Sequence, residues 1–306
     1  MNKQIVKHNA AIKASYRLTL DEQRLMMLCI SQVRRDNTTN PRRFTIRHQD
    51  YCKEFGTSYA YKNMKEAAQR LQQRIIKVGK TEIDGVVYDG GAINVLSRQM
   101  WQEGEGEIML DFSEFFMPYL ERLSADFTRF GLKDIAQMTS IYSIRIYELL
   151  KMADGQQKSN QLKTIYEIKK QDMRDMFELG TKYKAHKDFR KRVIDIAVRE
   201  INQFSPLNVE LEQIKKGRLI HAFKFTVTRK SADIKPKSKA EKRILKELEA
   251  IKRAFKIGHV VKVNGNEITG LSGDYSADFG EFGRHNLYNE LKAGATFKIE
   301  QKNRLL

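Results

Sequence analysis

Apolar and polar positions along this chain follow two alternating periods, and the order in which the periods change occurs twice. After a polar amino-terminal arm, Thr19 caps a predicted helix whose acidic first turn, Asp21 and Glu22, suits the helix dipole. Leu25, Met26, Leu28, Cys29 and Val33 give that helix a buried stripe, and Asn37 to Pro41 ends it. Phe44 to Arg47 alternates as a short strand, and His48 to Phe55 forms a short helix stopped at Gly56. A long helix comes next in which Met64, Ala68, Leu71, Ile75 and Val78 recur every three to four residues, with Lys62, Lys65, Gln69 and Gln73 outward and Gly79 at its end. Thr81 to Phe112 shifts to short alternating runs around Asp89-Gly90-Gly91 and Gly104-Glu105-Gly106, the pattern of a β-hairpin or three-stranded wing. Phe115 to Leu123 reads as a closing helix, and Gly131 lies near the join to the second half of the pattern.

The same plan then repeats: a helix over Ser140 to Met152, a strand over Thr164 to Ile168, and a helix over Lys170 to Leu179 halted at Gly180. A basic helix starts at about Lys184, with Phe189, Val193, Ile196, Ala197, Ile201 and Phe204 on one face and Lys184, Lys187, Lys191 and Asp195 opposite. Ser205-Pro206 breaks it. Strands over Val209 to Ile214 and Leu219 to Val227 flank the basic tip Lys215-Lys216-Gly217-Arg218, with Phe223, Phe225 and Val227 facing one way and Lys224, Thr226 and Thr228 the other. Lys230 to Lys242 reads as a linker, Ala240 to Phe255 as a charged helix, and Val261 to Ile268 as a hairpin in a glycine-rich tail to which the pattern assigns no role.

The two halves superpose in sequence at a constant spacing of 122 residues: Phe44 to Asp50 falls on Tyr166 to Asp172, Phe55 on Phe177, Tyr61-Lys62 on Tyr183-Lys184, Lys65 on Lys187 and Arg70 on Arg192. Leu25, Met27 and Leu28 fall on Tyr147, Leu149 and Leu150. Two tandem copies indicate duplication rather than a solenoid, which needs at least about three repeats. In each copy a basic helix follows a shorter one across a turn, the order of a helix-turn-helix.

Charge sharpens this picture. A net charge of +18 and a pI of about 9.7 fit a polyanionic partner, because lysines and arginines placed on phosphates release counterions. RNA and anionic membranes attract the same charge. Cys29 and Cys52 stand alone, which argues against a disulfide framework or zinc finger. No apolar run reaches the roughly 18 residues of a membrane span, and Met1-Asn2-Lys3-Gln4 leads into no apolar signal core, so a cytoplasmic protein without a membrane partner is expected.

Within the second copy, Lys184, Lys187, Arg190 and Lys191 are the candidate base-reading residues, since the major groove admits one helix and is read by such side chains. The competing reading is a solvated helix face. Lys182, Tyr183, Arg192 and Arg199 around that helix, with Lys215, Lys216 and Arg218 at the wing tip, suit phosphates. In the first copy Lys62, Lys65 and Arg70 occupy matching positions on a less charged helix, fit for weak DNA contact or for scaffold and dimer surface. Gln49-Asp50 and Gln171-Asp172 read as helix caps, Tyr61 and Tyr183 as packing or phosphate contacts, and Trp101 as packing. The histidines form no His-x-His pair and no P-loop is present, so no catalytic residue, metal or cofactor is expected. The enzyme alternative is a rolling-circle nickase using Tyr183.

The tract Tyr183 to Asp195, continuing to Arg199-Glu200-Ile201-Asn202, resembles the recognition-helix signature of iteron-binding plasmid replication initiators of the RepE, RepA and RepB type. Ser140 to Leu150 and Leu20 to Leu25 are similar to the helices that open the family's two domains, and the resemblance covers about Leu18 to Arg229. It implies an α+β fold of two tandem winged-helix domains with a carboxy-terminal extension. The expected boundaries are 1–130 for a domain of dimerisation and auxiliary DNA contacts, 131–232 for the main DNA reader, and 233–306 for linker, helix and tail. It also implies monomers on directly repeated origin sites opening AT-rich DNA, with the host initiator, replicative helicase and chaperones as partners, and dimers repressing their own gene. A winged-helix transcription regulator is the near alternative.

Overall fold

The computed structural model describes residues 3–33, 42–58, 61–83, 85–102, 104–121, 126–156, 163–230, 239–256, 259–271, 276–278, 284–292 and 294–300. The chain separates into two compact units, Met1–Thr228 and Arg229–Leu306.

The first unit opens with a strand, β1 (Gln4–His8), and a short helix, α1 (Asn9–Lys13). The expected polar arm is therefore structured: Ile5 and Val6 are buried, and β1 pairs antiparallel with β9 (Phe127–Gly131), Gln4 opposite Gly131. Pairing with a strand more than a hundred residues away leaves no local periodic mark. α2 (Leu20–Ile30) carries the expected Thr19 cap as a full capping box with Glu22, and its stripe from Leu25 to Ile30 is buried. Asn37 to Pro41 lies outside the described residues. β2 (Arg43–Arg47) and α3 (His48–Phe55) form as predicted, α3 ending at Gly56 in the left-handed region (φ +59°), where a side chain would be strained.

α4 (Tyr61–Gln72) is shorter than its apolar spacing predicted. Ile75 to Val78 is a strand, β3 (Ile75–Val78), with Ile76 and Val78 buried and Ile75 exposed. The β-branched run overrides a helical period that happens to fit two of its residues. β3 pairs with β6 (Gly91–Asn94), and β4 (Thr81–Ile83) with β5 (Val86–Tyr88). β7 (Leu96–Gln102) and β8 (Glu107–Phe112) form the wing, turning at Gly104-Glu105-Gly106, and β2 completes a sheet of order β2-β8-β7. Asp111 on β8 bonds Arg43 of β2 and Arg98 of β7, so the wing is clamped by one carboxylate. In place of the expected helix after Phe115 there is only a 3-10 turn, Met117–Tyr119, and Leu123 lies outside the described residues.

α5 (Lys133–Ala136) leads to α6 (Ile141–Gln156), β10 (Lys163–Lys169) and α7 (Lys170–Met176). The predicted duplication is a structural fact up to this point, because α3 and α7 begin at His48 and Lys170, 122 residues apart. β2 and β10 likewise each pair with the distal strand of a wing: Ile46 faces Ile108, and Ile168 faces Phe223. No side chain caps α3 at Arg47 or α7 at Lys169, so Gln49-Asp50 and Gln171-Asp172 sit inside the first turns instead, with Asp50 and Asp172 placed for the dipole. α8 (His186–Phe189), a π-helical turn over Arg190–Asp195, and α9 (Ile196–Phe204) form one continuous helix. β11 (Leu207–Lys216) and β12 (Leu219–Arg229) make the second wing in a sheet of order β10-β12-β11. Thr228, expected on the outer face, is buried.

One core runs through the whole unit, from Ile5, Leu25 and Ile108 to Leu150, Val193 and Phe225. At its centre Lys7 of β1 donates to Glu148 of α6 (2.9 Å), and the Arg145 guanidinium lies 3.7 Å from the Tyr16 ring and donates to the Ala14 carbonyl (2.8 Å). Burial alone pulls the Lys7 ammonium down, but Glu148 and Tyr16 outweigh it and hold it above the usual lysine value. This group fixes the connector between α1 and α2 against α6.

In the second unit α10 (Lys239–Lys256) buries Leu248, Ile251 and Ala254. The helix begins inside the stretch expected as linker, and residues 231–238 lie outside the described residues. β13 (Val260–Val263) and β14 (Asn266–Glu267) form the predicted hairpin. A further small sheet comprises β15 (Gly270–Leu271), β16 (Ser276–Asp278) and β17 (Arg284–Asn286). α11 (Leu287–Lys292) leads into β18 (Phe297–Glu300), which pairs with β13.

Candidate nucleic-acid interface

The turn between α7 and the long helix is held in a conformation that its own residues resist. Glu178 (φ 47°), Gly180 (φ 50°) and Tyr183 (φ 51°) are all left-handed, and a non-glycine residue there costs about 1 kcal/mol or more. Arg174 compensates. From α7 its guanidinium donates to the carbonyl oxygens of Gly180 (2.8 Å), Lys182 (2.9 Å) and Tyr183 (2.8 Å) and lies 5.8 Å from the Phe189 ring. Sequence reasoning missed this residue. The signal was a mismatch in the duplication, since position 174 falls on Cys52 in the first module.

Tyr183 is half-buried in that turn, edge-on to Tyr142 at 6.3 Å. Burial, then the neighbouring Tyr183 phenol, push the Tyr142 hydroxyl up to about 12. Because the long helix starts at His186, Lys182, Tyr183 and Lys184 belong to the turn and not to the helix, unlike Tyr61 and Lys62, which open α4. The 122-residue register thus breaks at the turn.

On the helix Lys187, Arg190, Lys191, Arg192 and Arg199 are all exposed, opposite Phe189, Val193, Ala197 and Ile201, which are fully buried. The π turn adds one residue to the repeat, so that the adjacent Val193 and Ile194 both point inward; the 3.6-residue reading missed Ile194. Arg190 pairs with Asp195 at 3.2 Å, both half-exposed, an ion pair weak enough to exchange for a phosphate or base. The buried carboxylate of Glu200 accepts from the Thr139 N–H (3.2 Å), the Thr139 hydroxyl (2.6 Å) and the Ser140 N–H (3.2 Å), locking the helix to the start of α6.

At the wing, Lys215, Lys216 and Arg218 are exposed around Gly217 (φ 63°). His186 Nε2 lies 3.0 Å from Gln213 Oε1 and its ring stacks on Phe223, which ties the helix start to the wing. Lys184 and Lys216 line one open groove of about 400 Å³ together with Lys170 and Arg174. The fold therefore brings Lys184 of the turn and Lys216 of the wing tip to one groove.

The first module differs. Lys62 is exposed, but the Lys65 ammonium sits 4.6 Å from the centre of the Trp101 ring, which is 40% exposed on β7. Arg70 pairs with Glu22 (3.1 Å) and Glu66 (3.8 Å), and Arg74 with Glu22 (2.9 Å). Glu22 is fully buried, so these two guanidiniums compensate an interior charge. The tip of this wing carries Glu105 and Glu107 where the second carries lysines and arginine. Among the described residues no group of His, Cys, Asp or Glu side chains is arranged to hold a metal ion, and no helix is long and apolar enough to cross a membrane.

A family described as "Initiator Replication protein, WH1" matches residues 4–151, and one described as "Initiator Rep protein, WH2" matches residues 169–227. Together the matches take in most of the chain and meet the two helix-turn-helix modules. The chain belongs to the replication initiator family. Its fold is that of two winged-helix domains. A curated "Replication initiation protein" from Escherichia coli is 24% identical over 220 residues, 70% of this chain and 66% of that relative's length. The initiator also superposes on a crystal structure of the Pi initiator protein in complex with iteron DNA, at a TM-score of 0.60 and 20% identity over 74% of this chain and 98% of that one. The carboxy-terminal unit lies beyond both family matches.

Proposed function

We propose that this initiator binds directly repeated sites at a plasmid origin as a monomer. In this reading the helix 186–204 lies in the major groove, with Lys187, Arg190 and Lys191 at base edges, while Lys182, Lys184, Arg192, Arg199, Lys215, Lys216 and Arg218 hold phosphates. The observation that carries the reading is the joint placement of an exposed cationic helix, a turn stapled by Arg174 and a basic-tipped wing tied to that helix through His186. The first module adds little to DNA binding, through Lys62 and the edge of α4, because Arg70 is engaged by Glu22.

Initiation then runs on binding energy alone. Several monomers on phased repeats bend the origin, at about 1 to 6 kcal/mol per smoothly bent site, and the additional protein surface that a bent duplex meets offsets that cost. Opening of adjacent AT-rich DNA, recruitment of the host helicase machinery and repression of its own gene by dimers complete the proposal, and no step requires a catalytic residue. The test is a nuclease footprint of the purified protein on the replicon that carries its gene. Protection of several repeats in one orientation is the expected result. A single protected palindrome would instead make the protein a transcription regulator.

A further inference from the structure

Leu219 is 77% exposed, the most exposed large apolar residue among those described, and it stands at the basic tip of the second wing. It follows Lys215, Lys216, Gly217 and Arg218 at the tip of the second wing. The last pair between β10 and β12 is Lys169 with Ala222, so Leu219 to His221 extend past the edge of the three-stranded sheet as a two-stranded arm. Alternation along β12 places Leu219 on the same face as the buried Phe223, Phe225 and Val227. That face looks toward the helices, and Leu219 borders the open groove that Lys216 shares with Lys184 and with Lys170 and Arg174 of α7. The tip of the first wing, from Gln102 to Glu107, is acidic and carries no apolar residue, so the feature belongs to one module only.

From this placement we infer that Leu219 is a wedge that enters the minor groove beside the repeat and partly unstacks one base step. Apolar side chains inserted in this way kink duplex DNA by about 20 to 90°, and cations beside the wedge hold neighbouring phosphates. Lys215, Lys216 and Arg218 supply those cations, and the left-handed Gly217 lets the tip turn tightly enough to present the leucine. The inference rests on the second module reading DNA as proposed above. It adds a mechanical activity to that reading, a localised kink set by one side chain.

The full-length protein is assayed on duplexes carrying the footprinted repeat, with 2-aminopurine placed in turn at each step along the wing-protected side, and bending is read by circular permutation. Wild type should raise the fluorescence at one step and bend the duplex. Leu219→Ala should lose the fluorescence rise and at least about half of the bend, with affinity changed by less than about tenfold because the phosphate contacts remain. Leu219→Met should keep both signals. A Leu219→Ala protein with wild-type bend and fluorescence would overturn the wedge, as would wild-type binding with neither signal. Failure of wild type to bind the repeat would overturn the DNA-reading assignment and the wedge together.

Discussion

Replacing Arg174 should disable DNA reading without touching a residue of the reading helix. Its guanidinium makes three hydrogen bonds to turn carbonyls, one of them partly shielded and two exposed. A hydrogen bond from a charged donor contributes about 1.5 to 3 kcal/mol when shielded and less in water, so Arg174→Ala should lower unfolding stability by about 2 to 3 kcal/mol. The functional loss has a second source. Without the staple, Glu178 and Tyr183 relax from their left-handed conformations, and binding must order the turn again. Fixing one residue's backbone costs about 1 to 2 kcal/mol, so re-forming two or three of them weakens repeat binding by at least about tenfold. Arg174→Lys separates geometry from charge, because an ammonium keeps the charge and cannot reach three carbonyls in different directions. Denaturant unfolding and fluorescence anisotropy on the repeat duplex would be measured for both variants. Arg174→Lys with wild-type affinity would refute the reasoning and reduce Arg174 to one more cation near phosphate.

Three other expectations concern different parts of the fold. Lys216→Ala should weaken binding to repeat and random DNA alike and reduce the slope of log affinity against log salt by about one, as seen in a salt titration. Glu148→Gln should cost about 3 to 5 kcal/mol in denaturant unfolding, because it leaves the buried Lys7 and Arg145 facing each other, while Lys7→Met should cost clearly less, since Arg145 still partners Glu148 at 3.6 Å; the reverse order would contradict the charge accounting. Burial raises the Asp111 carboxyl, but hydrogen bonds from Arg43 and Arg98 outweigh it and hold the group below its ordinary value of 3.8. Its contribution is therefore fully present above that value and lost as the pH falls below it, so the stability gap between wild type and Asp111→Asn should stay constant from neutral pH down to about pH 5 and shrink as the pH falls through and below 3.8.

What the sequence revealed and what it hid divide along the range of the interactions involved. The duplication was legible because strand, short helix and opening helix are each specified by local pattern, and β2, α3, β10 and α7 begin within two residues of where that pattern places them. β1 was invisible as a strand because its partner β9 lies more than a hundred residues away. β3 was read as helix because Ile75 and Val78 fit two periods, and only pairing with β6 decides between them. The π turn escaped for a related reason, since a 3.6-residue template has no place for both Val193 and Ile194. Among candidate site residues, exposure was predicted well in the second module, where every named cation faces solvent and Tyr183 is half-buried. The ion pair of Arg70 was not legible because the carboxylate that binds it, Glu22, reads in sequence as an ordinary first-turn helix acid. Position within the duplicated frame says where a side chain starts, and tertiary partners say where its charge ends.

The central claim, that the helix 186–204 reads base sequence, is tested most directly by comparing Lys187→Ala and Arg190→Ala with wild type on the repeat duplex and on a scrambled duplex of equal length and salt. Each substitution should remove about 1 to 3 kcal/mol of discrimination, lowering the ratio of specific to non-specific affinity by roughly 5- to 150-fold. An equal loss on both duplexes would show that these cations only hold phosphates, and would contradict the assignment of the reading helix.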